Sequence, residues 1–337
     1  MIGTANGVAA SITGLGCRVP ERVVTNDDLS TMMDTSDEWI VERTGIRERR
    51  IAQPDEALSD LCLPAAREAL EDAGVKASEI DLLIVATVTP DMVFPATAAI
   101  LADQLGAKHA GAYDLSAGCT GFMYAIAQAY GMLAGGLAKR ALVVGGDVLS
   151  KLMDWSDRRT AVLFGDGAGA VVMELVNGGG FLGFELGADG SGGPELYVPG
   201  GGSRHPASAE SVADHLHFVK MNGREVYKFA TRVLVSSAEA VLAECGRTIE
   251  EVDVYVPHQA NVRIIEHARK KLGIPEDRVV IDVDRYGNTS SGSIPLALAD
   301  ARRDGRLEPG KLVLMTGMGA GLTWGSGLIE WTNGGRG

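Results

Sequence analysis

Two stretches of this chain, 172 positions apart, read alike. In the first, Ala66 to Val85, an amphipathic run through Leu70 stops at Gly74, passes Glu79-Ile80-Asp81 and enters the apolar Leu82-Leu83-Ile84-Val85. In the second, Ala238 to Pro257, a run through Leu242 stops at Gly246, passes Glu251-Val252-Asp253 and enters Val254-Tyr255-Val256. Each reads as a helix stopped by glycine, a capped turn and a buried strand. A second echo sits at nearly the same offset: Gly136 leads into Ala141-Leu142-Val143-Val144, and Gly305 leads into Lys311-Leu312-Val313-Leu314. One helix–glycine–strand unit is commonplace, but two in register imply a duplicated α/β unit. Helices alternating with apolar strands imply sheets covered on both faces. No low-complexity linker divides the halves, so they are expected to pack as one body, with residues 1–7 and 333–337 as loose tails.

Composition narrows the function classes. The 337 residues are 46% hydrophobic and 22% charged, an ordinary globular balance that supplies a large core. Four cysteines lack paired or metal-like spacing, which argues against a disulfide framework and a zinc site and for a reduced, cytoplasmic setting. Residues 1–16 hold no Lys or Arg, so no secretory leader is expected. The best membrane-span candidate, Leu115 to Ala138, contains Ser116, Thr120, Gln128 and five glycines without an aromatic belt; it reads as a buried helix. A net charge of −13 argues against nucleic-acid binding, and an acidic partner would need a local basic patch.

Cys119 carries the chemistry. It lies between the strand-like Gly111-Ala112-Tyr113-Asp114-Leu115 and a helix-like run from Thr120 to Tyr130. Unpaired amide N–H groups and the positive end of the helix dipole converge at such a junction, so a thiolate near neutral pH is expected. A small core residue is the competing reading. Two distant motifs tip the balance: His258 in Val256-Pro257-His258-Gln259-Ala260-Asn261 and Asn288 in Tyr286-Gly287-Asn288-Thr289-Ser290. Cys, His and Asn suit a papain-type hydrolase, in which His deprotonates the thiol and Asn orients the imidazole. They equally suit a thiolase-like condensing enzyme, in which the thiolate takes an acyl group while His and Asn hold the oxygen of a forming enolate. Neither Gly165-Asp166-Gly167-Ala168-Gly169 nor Gly317-Met318-Gly319-Ala320-Gly321 opens a helix or ends in Gly-Lys-Ser/Thr, so neither reads as a nucleotide loop. The first reads as a turn; the second could bring backbone N–H groups close to a reacting carbonyl.

The motifs together decide between the two chemistries. Asp37-Glu38-Trp39-Ile40-Val41-Glu42-Arg43-Thr44-Gly45-Ile46, Ala117-Gly118-Cys119-Thr120-Gly121-Phe122, Phe164-Gly165-Asp166-Gly167-Ala168-Gly169, Pro257-His258-Gln259-Ala260-Asn261-Val262-Arg263, Gly287-Asn288-Thr289-Ser290 and Gly319-Ala320-Gly321-Leu322-Thr323-Trp324-Gly325 resemble the β-ketoacyl-acyl-carrier-protein synthase III family. The resemblance runs from residue 8 to 332 in the family's order. It implies an α/β thiolase-like fold: two duplicated βαβαβαββ halves, residues 8–182 and 183–333, in five layers α-β-α-β-α. It further implies a condensation of an acyl-coenzyme A starter with malonyl-acyl carrier protein, initiating fatty acid synthesis, without metal or tightly held cofactor. Specialised, polyketide-type metabolism with an unusual starter or acceptor is the nearest alternative, and a noncatalytic partner subunit is a second.

By the same resemblance Cys119 is the nucleophile, His258 and Asn288 stabilise the enolate, and the backbone N–H groups of Cys119 and Ala320 form the oxyanion hole. Trp39 and Arg158 match positions that sandwich the adenine of coenzyme A, with Arg43 at a phosphate contact. Phe94 matches a residue closing the acyl pocket of a neighbouring subunit, which implies a homodimer. Met318 stands beside the pocket where many relatives carry phenylalanine, and Ser291-Gly292 replaces a more usual pair of alanines, read as a minor packing change. Arg263, His267 and Lys270, flanked by Arg269 and Lys271, place a basic stripe on the helix after His258, suited to docking an acidic carrier protein. Cys17, Cys62 and Cys245 have no motif around them, Cys62 and Cys245 reading as core thiols. His215 and His217 lack a third ligand. Residues 187–206 read as a mobile loop near the acyl entrance.

Overall fold

The computed structural model describes residues 8–332; the expected tails lie outside the described residues. The first half runs β1 (Val8–Arg18), α1 (Leu58–Ala73), β2 (Leu82–Ala86), α2 (Thr97–Leu105), β3 (Gly111–Leu115), α3 (Gly121–Ala134), β4 (Arg140–Val148) and β5 (Asp166–Asn177). The second runs β6 (Gly180–Ala188), α4 (Gly223–Cys245), β7 (Val254–Pro257), α5 (Val262–Leu272), α6 (Ser293–Arg303), β8 (Leu312–Gly319) and β9 (Thr323–Glu330). The first sheet has the order β1-β5-β4-β2-β3, and the second β6-β9-β8-β7. In both, the inner pairs β2–β4 and β7–β8 are parallel and the β-hairpin strands antiparallel. A single parallel bridge, Tyr255 to Val279, occupies the place of a fifth strand in the second sheet.

The echoes in the sequence are therefore equivalent elements. Gly74 and Gly246 each close their helix in the left-handed conformation, at φ 68° and 65°, where glycine alone carries no Cβ penalty. The two sheets part at Gly178-Gly179, so the boundary expected after residue 182 falls inside β6. Helices α3 and α6 touch strands of both sheets, α1 and α2 cover the outer face of the first, and α4 covers the outer face of the second. The fold is the thiolase-like five-layered α-β-α-β-α arrangement. Its central core joins Phe122, Ile126, Val143, Val256, Leu298 and Met315 from both halves. No helix among the described residues is long and apolar enough to cross a membrane; the Leu115–Ala138 run is α3, buried mid-layer.

Two sequence expectations change here. Asp166–Gly169 is not a turn but the start of β5, and its glycines serve helix packing: a Cβ on Gly169 would lie 2.7 Å from Pro295 Cβ of α6. Residues 187–206 are not one structureless loop. Their first half completes β6, forms a 3-10 turn over Gly190–Glu195 and adds a strand, Leu196–Tyr197, paired with Lys220–Met221.

Candidate active site

Two of the candidate groups, Cys119 and His258, follow the C-terminal ends of strands, one in each half, and Asn288 joins them from a loop. Cys119 follows β3 and precedes α3, one residue before the helix cap at Thr120. His258 follows β7, and its N–H donates to Thr316 O of β8 at 2.7 Å, extending the ladder by one bond. Asn288 comes from the loop before α6. Its backbone is pinned to the other half by Asn288 N–H to Leu163 O at 2.9 Å and Gly165 N–H to Asn288 O at 3.0 Å. Cys119, His258 and Asn288 then line one cavity of about 360 Å³. A second, apolar cavity of about 230 Å³ also reaches Cys119, walled by Leu149, Leu196, Val198 and Val219.

Close backbone contact builds the donor pair around the sulfur. A Cβ on Gly319 would fall 2.5 Å from Cys119 N, and one on Gly118, at φ 57°, would fall 2.7 Å from Ala320 N. Both positions must be glycine for the two amides to approach each other. The N–H groups of Cys119 and Ala320 both favour charge on Cys119 Sγ. Thr323 fastens the turn, its hydroxyl donating to Ala117 O at 2.8 Å.

The electrostatics overturn the expected thiolate. Burial, with only 8% of Cys119 exposed, pushes its thiol up to about 11. The Ser290 hydroxyl and the amides of Cys119 and Ala320 pull it down, while Asp147 pushes it further up. Ser290 Oγ leans on the sulfur without closing a geometrically sound hydrogen bond, so its help is partial. Donors at a helix end lower a thiol and desolvation raises it; here desolvation is the larger effect. Burial also drives the His258 imidazole down to about 3, so it is neutral. Its Nε2 is buried without a partner, and its Nδ1 lies 2.5 Å from Ser293 Oγ.

Two groups that sequence reading missed or undervalued, Gln259 and Ser291, help to position this site. Gln259 is fully buried; its amide donates to Pro257 O and Val280 O, and its carbonyl accepts from Asp282 N and Val283 N. Asn288 Oδ1 accepts from Ser290 N at 2.9 Å, which turns Nδ2 away from that loop. Ser291, read as a packing variation, is part of a buried network: its hydroxyl meets Ala86 O at 2.7 Å and Asp147 Oδ2 at 2.8 Å. The other oxygen of Asp147 accepts from Thr87 Oγ1, Val88 N and Thr89. That carboxylate ties the Asn288–Ser293 loop to the segment after β2. A lone serine in a Ser-Ser-Gly run gives no sequence signal of a partner 144 residues away.

At the cavity mouth, Trp39 carries Arg43 at 4.6 Å and Arg158 at 4.9 Å from its ring centroid. Arg158 also meets the carboxylate of Asp34 at 3.2 Å, and Arg159 rather than Arg158 lines the cavity. Met318 lines the larger cavity with Cys119, His258 and Asn288, not the smaller apolar one. Phe94 is 83% exposed and Val93 87%, an apolar loop tip with no cover in the single chain. On α5, Arg263 lines the mouth, whereas Glu266 pairs with Arg269 at 2.8 Å and Lys270 at 3.6 Å. Glu266 thus dilutes the basic stripe toward its far end; His267 is half-buried. His215 Nδ1 lies 3.7 Å from Asp154 Oδ2, and no group of three metal-ligating side chains occurs among the described residues. Cys62 is fully buried and Cys245 partly so.

Comparison with known proteins identifies the family of the chain. Models of the 3-oxoacyl-[acyl-carrier-protein] synthase III family match residues 113–190, and its C-terminal part matches residues 242–331. A β-ketoacyl-[acyl-carrier-protein] synthase III of Desulfitobacterium hafniense is 53% identical over 326 residues, covering 96% of this chain and 98% of that protein. The solved synthase III of Thermus thermophilus superposes with a TM-score of 0.90 at 49% identity, covering 96% of this chain and 99% of the other. The priming β-ketosynthase of the R1128 polyketide pathway superposes at 0.89 with 37% identity, covering 95% and 96%. The chain belongs to the 3-oxoacyl-[acyl-carrier-protein] synthase III family and is a condensing acyltransferase.

Proposed function

We propose that this synthase III joins an acyl-coenzyme A starter to malonyl-acyl carrier protein, giving a 3-oxoacyl carrier protein, CO₂ and free coenzyme A, as the first condensation of fatty acid synthesis. The observation that carries the residue assignment is the convergence of Cys119, His258 and Asn288 on one cavity, with two backbone N–H groups on the sulfur. In the priming step Cys119 Sγ attacks the thioester carbonyl carbon. The N–H groups of Cys119 and Ala320 hold the oxygen as it becomes negative, and the coenzyme A sulfur departs with the thiol proton. Such a donor is typically worth about 3–4 kcal/mol of transition-state stabilisation.

In the second step the malonyl thioester loses CO₂, and the electron pair of the broken bond passes to the thioester as an enolate. Its oxygen is held by His258 Nε2 and Asn288 Nδ2. The α-carbon then attacks the acyl carbonyl on Cys119, forming the carbon–carbon bond and expelling the thiolate. None of these steps calls on a metal or redox cofactor. The acyl chain would lie in the smaller apolar cavity that reaches Cys119. Trp39 and Arg158 would receive the adenine, Arg158 swinging off the ring it now covers, with Arg43 toward phosphate.

The bare Phe94 tip supports a homodimer in which each subunit's loop closes the other's acyl cavity. Arg263, His267 and Lys270 would dock the acidic carrier, Arg263 foremost because Glu266 competes for Lys270. Charge reversal at Arg263 should raise KM for the carrier substrate and leave coenzyme A priming nearly unchanged. Four free cysteines fit a cytoplasmic setting. Intact-mass analysis with a panel of acyl-coenzyme A thioesters tests the core assignment. A single acyl mass should appear on the wild-type protein and be absent from Cys119→Ala; an unchanged mass gain in that variant overturns the nucleophile.

A further inference from the structure

Ser293, the first residue of α6, is 1% exposed, and its Oγ lies 2.5 Å from His258 Nδ1 and 3.3 Å from the Gln259 N–H. The Gln259 amide is a donor and takes a lone pair of the serine oxygen. The serine hydroxyl has one proton, and the acceptor within its reach among the described residues is Nδ1. Were Nδ1 itself protonated, it would donate to Oγ and leave the serine proton buried without an acceptor, a costly arrangement. Proton counting therefore places the serine O–H on Nδ1 and the imidazole proton on Nε2.

We propose that Ser293 is a positioning residue that holds His258 in its Nε2–H tautomer, so that the imidazole offers a donor, not a lone pair, to the reaction cavity. Nε2, buried without a protein partner on a residue that lines the cavity, is the ring nitrogen left to meet a substrate. The proposal rests on the reading of His258 as a donor to the malonyl thioester oxygen. It also withdraws His258 as the base for the Cys119 proton, which then leaves on the departing coenzyme A sulfur.

Long-range ¹⁵N–¹H NMR of the ¹⁵N-histidine-labelled protein reads the tautomer directly, with the His258 signals identified by their loss in His258→Gln. The wild-type protein should show a neutral Nε2–H imidazole. Ser293→Ala should erode that tautomer and slow malonyl-thioester decarboxylation about tenfold, the effect typical of removing the group that orients a histidine, while Cys119 priming changes far less. Ser293→Thr should restore both. A wild-type Nδ1–H signal overturns the proposal whether or not the variants fold. So does a Ser293→Ala protein whose tautomer and ratio of half-reactions match wild type. An Nε2–H signal in a wild-type protein that does not decarboxylate malonyl thioesters leaves the tautomer standing and overturns the condensing role instead.

Discussion

The charge state of His258 can be tested by isolating the step that uses it. Cys119→Ala cannot be acylated, so with malonyl-acyl carrier protein only decarboxylation is followed, free of any thiol ionisation. An imidazole at the ordinary value of about 6.5 would be about 90% charged at pH 5.5. Burial holds His258 at about 3, which leaves well under about 1% charged at the same pH. An imidazolium is the stronger hydrogen-bond donor, so a titrating His258 would accelerate the step as pH falls through 6.5. The expected result is CO₂ release that varies by less than about twofold from pH 5.5 to 8. A midpoint near 6.5 that disappears in His258→Gln would refute the buried neutral imidazole. Stability carries the matching sign. The folded value lies below the unfolded one, so the unfolded state binds more protons below pH 6.5, and this group erodes stability as pH drops toward 3. At pH 5.5 the loss is about 1.4 kcal/mol relative to a variant without the histidine.

Further outcomes follow from the same geometry. With its thiol at about 11, Cys119 in the free enzyme should be alkylated by iodoacetamide about tenfold faster per pH unit between 7 and 9, and a plateau near pH 8 would mean a preformed thiolate. Gly319→Ala places a methyl 2.5 Å from Cys119 N; displacing that donor should slow priming by about 10²-fold, measured by acylation kinetics, with the fold intact by circular dichroism. Ser291→Ala removes a buried hydroxyl from Asp147 and Ala86 O and should cost about 1–3 kcal/mol in denaturant titration. A loss below about 0.5 kcal/mol would show that the network is not holding the loop.

Much of this molecule could be read from the order of its residues. Gly74 and Gly246 mark equivalent helix ends because a left-handed closure tolerates little else, and the apolar runs after them have nowhere to go but buried strands. The motifs around Cys119, His258 and Asn288 likewise point to three residues that line one cavity. The glycines of β5 misled because a chain pattern does not say whether glycine makes a turn or admits a helix, and Pro295 lies far away in sequence.

Charge and partnership were settled only in three dimensions. The local sequence at Cys119 promises a thiolate, but ionisation depends on how much water remains around the sulfur, and that is fixed by how residues of both halves bury it. Ser291 and Asp147, or Ser293 and His258, are joined by tertiary packing of the α6 segment rather than by any spacing along the chain. Sequence dictates which segments bend, bury and repeat, because those properties are local. Proton positions and solvent exclusion belong to the assembled interior, because they are sums over neighbours that only folding brings into reach.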